Sequence, residues 1–80
     1  MNSTDTQLTH LSDGARGRVV HFGHMNEAYR NRLMSLGLTP GTEFRVDRRA
    51  PLGDPVEITL RGYRLSLRAA ECQEMRVEPL

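Results

Sequence analysis

The sequence predicts a mainly β domain: a small, partly open barrel of about five short strands with one inserted α-helix and a short C-terminal helical turn. Three observations carry that expectation. From Glu43 onward, apolar and polar residues alternate with period two over three successive runs. Before them lies a single stretch of helical spacing, Met25, Tyr29, Leu33 and Leu36, which meets a glycine at Gly37. The turn formers Pro40, Gly41, Pro51, Gly53 and Pro55 fall between these segments rather than inside them.

In chain order, residues 1–10 are rich in Ser, Thr, Asn and Asp and read as a mobile segment preceding a single domain over residues 11–80. Leu11-Ser12-Asp13-Gly14-Ala15 reads as a turn into the first strand. The run from Arg16 to Phe22 carries Val19, Val20 and Phe22, whose branched and aromatic side chains suit a pleated surface, and Gly23 closes it. Asn26 can cap a helix by accepting a hydrogen bond from a free first-turn amide, and Glu27 favours the positive end of the helix dipole. The helix should stop at Leu36, because Gly37 can enter the left-handed conformation without a Cβ clash.

Thr39-Pro40-Gly41 then reverses the chain, with Pro40 fixing φ and Gly41 free to take it positive. Phe44 and Val46 should face inward, opposite Glu43, Arg45 and Asp47. Val56, Ile58 and Leu60 repeat this against Glu57, Thr59 and Arg61. So do Tyr63, Leu65 and Leu67 against Arg64, Ser66 and Arg68. Gly62 permits a tight turn or bulge between the last two runs. Ala69-Ala70-Glu71-Cys72-Gln73 offers a short helix, and Met75 and Val77 a last strand. So few short strands around so small a core close best as a barrel, which disposes of sheet edges. This is an SH3-like barrel with the helix plugging or flanking it, and its outward rows of arginine and carboxylate read as a solvated ion-pair face.

Composition excludes several functions. Eighty residues allow one core and no second domain. A membrane-crossing helix needs about eighteen consecutive apolar residues, and no such run occurs. With a polar N-terminus unlike a secretion signal, the expectation is a cytoplasmic protein without membrane insertion. All eleven basic residues are arginine, ten acids nearly balance them, and the net charge of +1 gives little steering toward nucleic acid. No exposed aromatic platform for bases is evident either, so no nucleic-acid partner is expected. The one cysteine, Cys72, excludes an intramolecular disulfide and a thiolate-rich zinc site. Gly14, Gly17 and Gly23 match no phosphate-loop spacing, and nothing marks a nucleophile elbow, so no catalytic residue and no required cofactor are expected.

The two loops carry the functional signal. Arg32-Leu33-Met34-Ser35-Leu36-Gly37-Leu38-Thr39-Pro40-Gly41-Thr42, followed by Ala50-Pro51-Leu52-Gly53-Asp54-Pro55 and the last alternating runs, resembles the FeoA family of small accessory proteins of bacterial ferrous iron uptake. The resemblance runs from about Val19 to Val77 and implies the SH3-like fold. It also implies a non-enzymatic role with a FeoB-like membrane iron transporter that bears a cytosolic GTPase domain. The matched positions Leu36, Gly37, Leu38, Pro40, Gly41, Ala50, Pro51, Leu52, Gly53, Asp54 and Pro55 are then the candidate partner-binding residues. Proline and glycine prearrange such loops, which lowers the entropy lost on docking, and Leu52 at the hairpin tip is the expected contact.

A reading from a different class is a small divalent-metal-binding or metal-sensing protein. It would use His21 and His24 as two imidazole donors for a weakly bound metal, with Glu27 or a second molecule completing the shell and Cys72 and His10 distant. Exposed strand edges also leave weak homo-oligomer formation open.

Overall fold

The structure, a computed structural model, describes residues 5–49 and 54–80. Six strands form among the described residues: β1 (Thr6–Gln7), β2 (Arg16–His21), β3 (Glu43–Arg49), β4 (Val56–Leu60), β5 (Tyr63–Leu67) and β6 (Arg76–Pro79). Helix α1 (Glu27–Ser35) joins β2 to β3, and the short α2 (Ala69–Cys72) joins β5 to β6. They build one antiparallel sheet in the order β1-β6-β2-β3-β4-β5. The two end strands do not pair with each other, so the sheet curls into a barrel that stays open.

Local chemistry explains each element. Asn26 caps α1, its Oδ1 accepting from the amides of Ala28 at 2.8 Å and Tyr29 at 3.4 Å. At the other end Leu38 N–H reaches Leu33 O and Gly37 N–H reaches Met34 O, both at 3.0 Å. That reciprocal pair is a Schellman cap, and it needs the left-handed Gly37, at φ +97°. Its usual apolar contact is present as well, since Leu33 and Leu38 are both fully buried. Strands β4 and β5 meet through a two-residue turn, Arg61-Gly62, closed by the pair Leu60 and Tyr63.

The inward residues of β2 to β6 make the core: Val19, Phe44, Val46, Val56, Ile58, Leu60, Leu67 and Val77, with Leu33 and Leu38 from α1 and its cap and Met75 before β6. Register shifts interrupt β2 between Val19 and His21 and β3 between Val46 and Arg48. The second is a bulge that leaves Asp47 as an extra residue on β3.

Three expectations change. Residues 6–10 belong to the domain, which therefore begins before residue 11. Thr6 and Gln7 pair with Val77 and Arg76, and Leu8, in the 3-10 turn Leu8–His10, is wholly buried. A single apolar side chain in a polar stretch gives no periodicity, so the sequence offered no strand signal there. The added β1 also makes the strand number six. Tyr63, assigned to the core, is 42% exposed, and Leu65 beside it is half-buried. β5 ends the sheet, so its side chains have neighbours on one flank only. Tyr29, placed on the buried stripe of α1, is 40% exposed, because a nine-residue helix on so small a barrel buries only Leu33 completely.

Candidate functional site

The first loop motif becomes a rigid cap and turn. After the Schellman cap, Thr42 N–H donates to Thr39 O at 3.0 Å, closing a turn in which Gly41 takes φ +93°. Side chains tighten it: Thr42, itself buried, donates through Oγ1 to Gly37 O at 3.1 Å and lies 3.0 Å from Thr39 Oγ1. The turn is also stitched into the sheet, because Gly41 N–H donates to Val19 O at 2.7 Å and Val19 N–H to Thr42 O at 2.9 Å. Its placement thus depends on β2 as much as on α1.

Within that turn the candidate residues divide. Pro40 and Gly41 are exposed, and Leu36 and Gly37 are half-buried. Leu38 is fully buried in the core and is held away from any surface. Tyr63 completes the site, its hydroxyl donating to Leu36 O at the end of α1. A Cβ on Gly37 would lie 2.6 Å from that hydroxyl, so the glycine serves both the cap and the tyrosine. Sequence reasoning missed Tyr63 as a site residue. Its one signal was a polar hydroxyl at a position read as core, which needs a partner wherever it is buried.

The second motif reaches a different place. Ala50, Pro51, Leu52 and Gly53 lie outside the described residues. Asp54 and Pro55 are exposed and line a polar cleft of about 580 Å³ with Arg32, Ser66, Arg68 and Glu71. Asp54 Oδ1 accepts from Ala69 N–H at 2.9 Å, at the start of α2. Glu71 accepts from Arg68 N–H at 3.2 Å while its own N–H donates to Arg68 O at 2.9 Å, so α2 opens on a reciprocal box. The second Glu71 oxygen takes Arg32 Nε of α1 at 2.6 Å. The first motif thus meets the start of β5 at Tyr63, and Asp54 meets the chain just past its end. A five-residue strand of roughly 3.3 Å per residue separates them, and α1 touches both places, through Arg32 and through the Leu36 carbonyl.

The histidines do not converge. His21 Nδ1 accepts from Gly23 N–H at 3.1 Å, and its Nε2 lies 3.6 Å from Asp5 Oδ2. Both of its ring nitrogens therefore face protein groups. His24 is exposed in the following loop, and His10 Nδ1 lies 3.0 Å from Thr6 Oγ1. Among the described residues no three His, Cys, Asp or Glu side chains group closely enough to hold a metal ion.

Charge concentrates elsewhere, on the outer face of the sheet. Asp47, displaced by the bulge, accepts from Thr59 Oγ1 at 2.5 Å and from Arg45 Nη2 at 3.1 Å. The Thr59 hydroxyl, with the Arg45 hydrogen bond and the charges of Arg45 and Arg64, holds the Asp47 carboxyl below the usual carboxylate range, against its partial desolvation. Arg18 bridges Glu78 at 2.7 Å and Glu43 at 3.3 Å, and those bonds raise its already high pKa further. No helix among the described residues is long and apolar enough to cross a membrane.

Comparison with known proteins gives consistent matches. A family model described as the FeoA domain matches residues 6–79. The structure resembles a FeoA-like protein from Clostridium acetobutylicum with a TM-score of 0.86 and 32% identity, covering 99% of this chain and 91% of that one. FeoA protein from Chlorobium tepidum gives 0.85 at 39% identity, over 94% of this chain and 70% of that one. Stenotrophomonas maltophilia FeoA, solved in complex with zinc, gives 0.77 at 28% identity over 91% and 89%. It is described as a prokaryotic SH3 domain protein and a candidate ferrous iron transport activating factor.

Proposed function

Because this chain belongs to the FeoA family, with its SH3-like barrel, we propose that it is a non-enzymatic accessory protein of bacterial ferrous iron uptake. In this reading it works in the cytoplasm and binds the cytosolic part of a FeoB-type transporter. The observation that carries the reading is the cap and turn from Leu36 to Thr42. Hydrogen bonds from α1, β2 and β5 fix it, yet Pro40 and Gly41 at its tip and the neighbouring Tyr63 stay open to solvent. A surface ordered before binding loses little conformational entropy when it docks, which suits a small regulatory partner better than a catalyst. The exposed Asp54 and Pro55 add a second point of approach along the same flank.

The test is a pull-down of the tagged protein from its native host in mild detergent, read by quantitative mass spectrometry. Enrichment of a large membrane protein bearing a GTPase domain is expected, and Leu52→Glu should weaken it. Absence of such a protein, together with stoichiometric divalent metal retained by the purified domain, would replace this reading with the metal-binding one. In that case alanine at His21 and His24 should abolish the metal affinity.

A further inference from the structure

We infer that the outer face of β3, β4 and β5 is a docking surface for an acidic segment of a partner polypeptide, gripped by Arg45, Arg48, Arg61 and Arg64. Strand register creates the surface. Arg16 stands directly opposite Arg45, Arg45 opposite Thr59, and Thr59 opposite Arg64, so three arginines share one row across four strands. Like charges directly opposite one another destabilise a sheet. The fold relieves two of them with its own acids, turning Arg16 to Glu43 and Arg45 to Asp47. Arg48, Arg61 and Arg64 are exposed and make no ion pair among the described residues.

Two shallow clefts flank Arg45. One, of about 610 Å³, is bounded by Arg45, Asp47, Arg48, Glu57 and Arg64. The other, of about 270 Å³, is bounded by Arg16, Glu43, Arg45 and Arg61. Across the two clefts five arginines, Arg16, Arg45, Arg48, Arg61 and Arg64, face three acids, Glu43, Asp47 and Glu57, while the chain as a whole carries +1, so the positive charge is local. Arg61 adds a conformational sign. It holds φ +48° in the β4–β5 turn, where asparagine or glycine would sit with less strain. Strain held at an exposed charge points to use of that charge.

Carboxylates fit this face better than phosphates. The guanidinium fork matches a carboxylate in two parallel hydrogen bonds, as it does a phosphate, so the choice rests on what surrounds the arginines. Interspersed Glu43, Asp47 and Glu57 break up the continuous positive track that a nucleic acid backbone requires. No aromatic side chain stands on this face to stack a base: Tyr63 has the opposite strand parity to Arg64, and Tyr29 is on α1. The inference borrows from the accessory-protein reading only the premise that a partner exists. The pull-down tests that premise, and the titration below tests the face, so either can fail alone.

The experiment titrates the full chain with a fluorescein-labelled peptide of alternating glutamate and serine. A neutral glutamine counterpart and a single-stranded oligonucleotide of matched charge run in parallel. Binding is followed by anisotropy at low and physiological salt, and amide shifts of the isotope-labelled protein are mapped. The expected result is binding of the acidic peptide alone, weakened by salt, with shifts confined to β3, β4, β5 and the Arg61-Gly62 turn. Arg61→Glu with Arg64→Glu should weaken it about tenfold or more, whereas Arg30→Glu on α1 should not. Failure of the peptide to bind, shifts lying elsewhere, unchanged affinity in the double variant, or tighter binding of the oligonucleotide would each overturn the proposal. The shift map uses the wild-type protein, so the answer does not depend on the variant folding.

Discussion

Gly37 serves two demands at one position. It takes the left-handed conformation that the α1 cap needs, and its bare Cα leaves room for the Tyr63 hydroxyl. Gly37→Ala should therefore destabilise the domain by about 1–3 kcal/mol, read as a shift in the urea midpoint. A change much smaller than that would mean that the cap and tyrosine rearrange freely. Asp47 makes a prediction in pH. Its carboxyl lies below its ordinary range in the folded state, so the unfolded chain binds the extra proton. The stabilisation is fully present above the unfolded pKa of about 3.9, and it is lost as pH falls through the lower folded value. Thermal melts of wild type and Asp47→Asn should thus differ most near neutrality and converge in acid. A constant gap would show that Asp47 acts without titrating. Gly37 was legible from the sequence, since a glycine ending a helical period has few other uses. The environment of Asp47 was not, because a bulge in β3 and a threonine on another strand created it.

At the scale of elements, the β4–β5 hairpin isolates one substitution. Arg61→Asn places a residue that visits the left-handed region readily where arginine is strained. It should raise stability by about 0.5–1 kcal/mol in chemical denaturation, while weakening the acidic peptide. Gain of stability without loss of binding would leave the strain unexplained by that surface. Strands β3 to β5 and helix α1 were predictable because their periodicity agrees with their turn residues at every step. The interior face of β5 was misjudged at Tyr63. Alternation says which side a residue faces and nothing about how far the neighbouring layer extends, and β5 ends the sheet.

Across the whole molecule, the N-terminal segment closes the fold. Leu8 is completely buried, β1 covers the edge of β6, and Asp5 joins Arg76 at 3.5 Å and approaches His21. Deleting residues 1–10 should lower stability by at least the roughly 2–5 kcal/mol that loss of a buried leucine costs. Thermal denaturation and amide dispersion check it, and an unperturbed truncated domain would restore a boundary at residue 11. The same long-range pairing explains how the two loop motifs sit. Sequence placed them one strand apart, and the fold puts their described residues at the two ends of β5 with α1 touching both. From the sequence alone came the barrel class, the α1 cap and stop, the Pro40-Gly41 turn and the family, because each is written in neighbouring residues. Only the tertiary structure decided that Leu38 is core, that Tyr63 is surface, that Thr6 to Leu8 belong to the sheet and core, and that arginines from three strands share one row. Those facts depend on register and on which strand ends the sheet, and both are set by contacts between residues far apart in the chain.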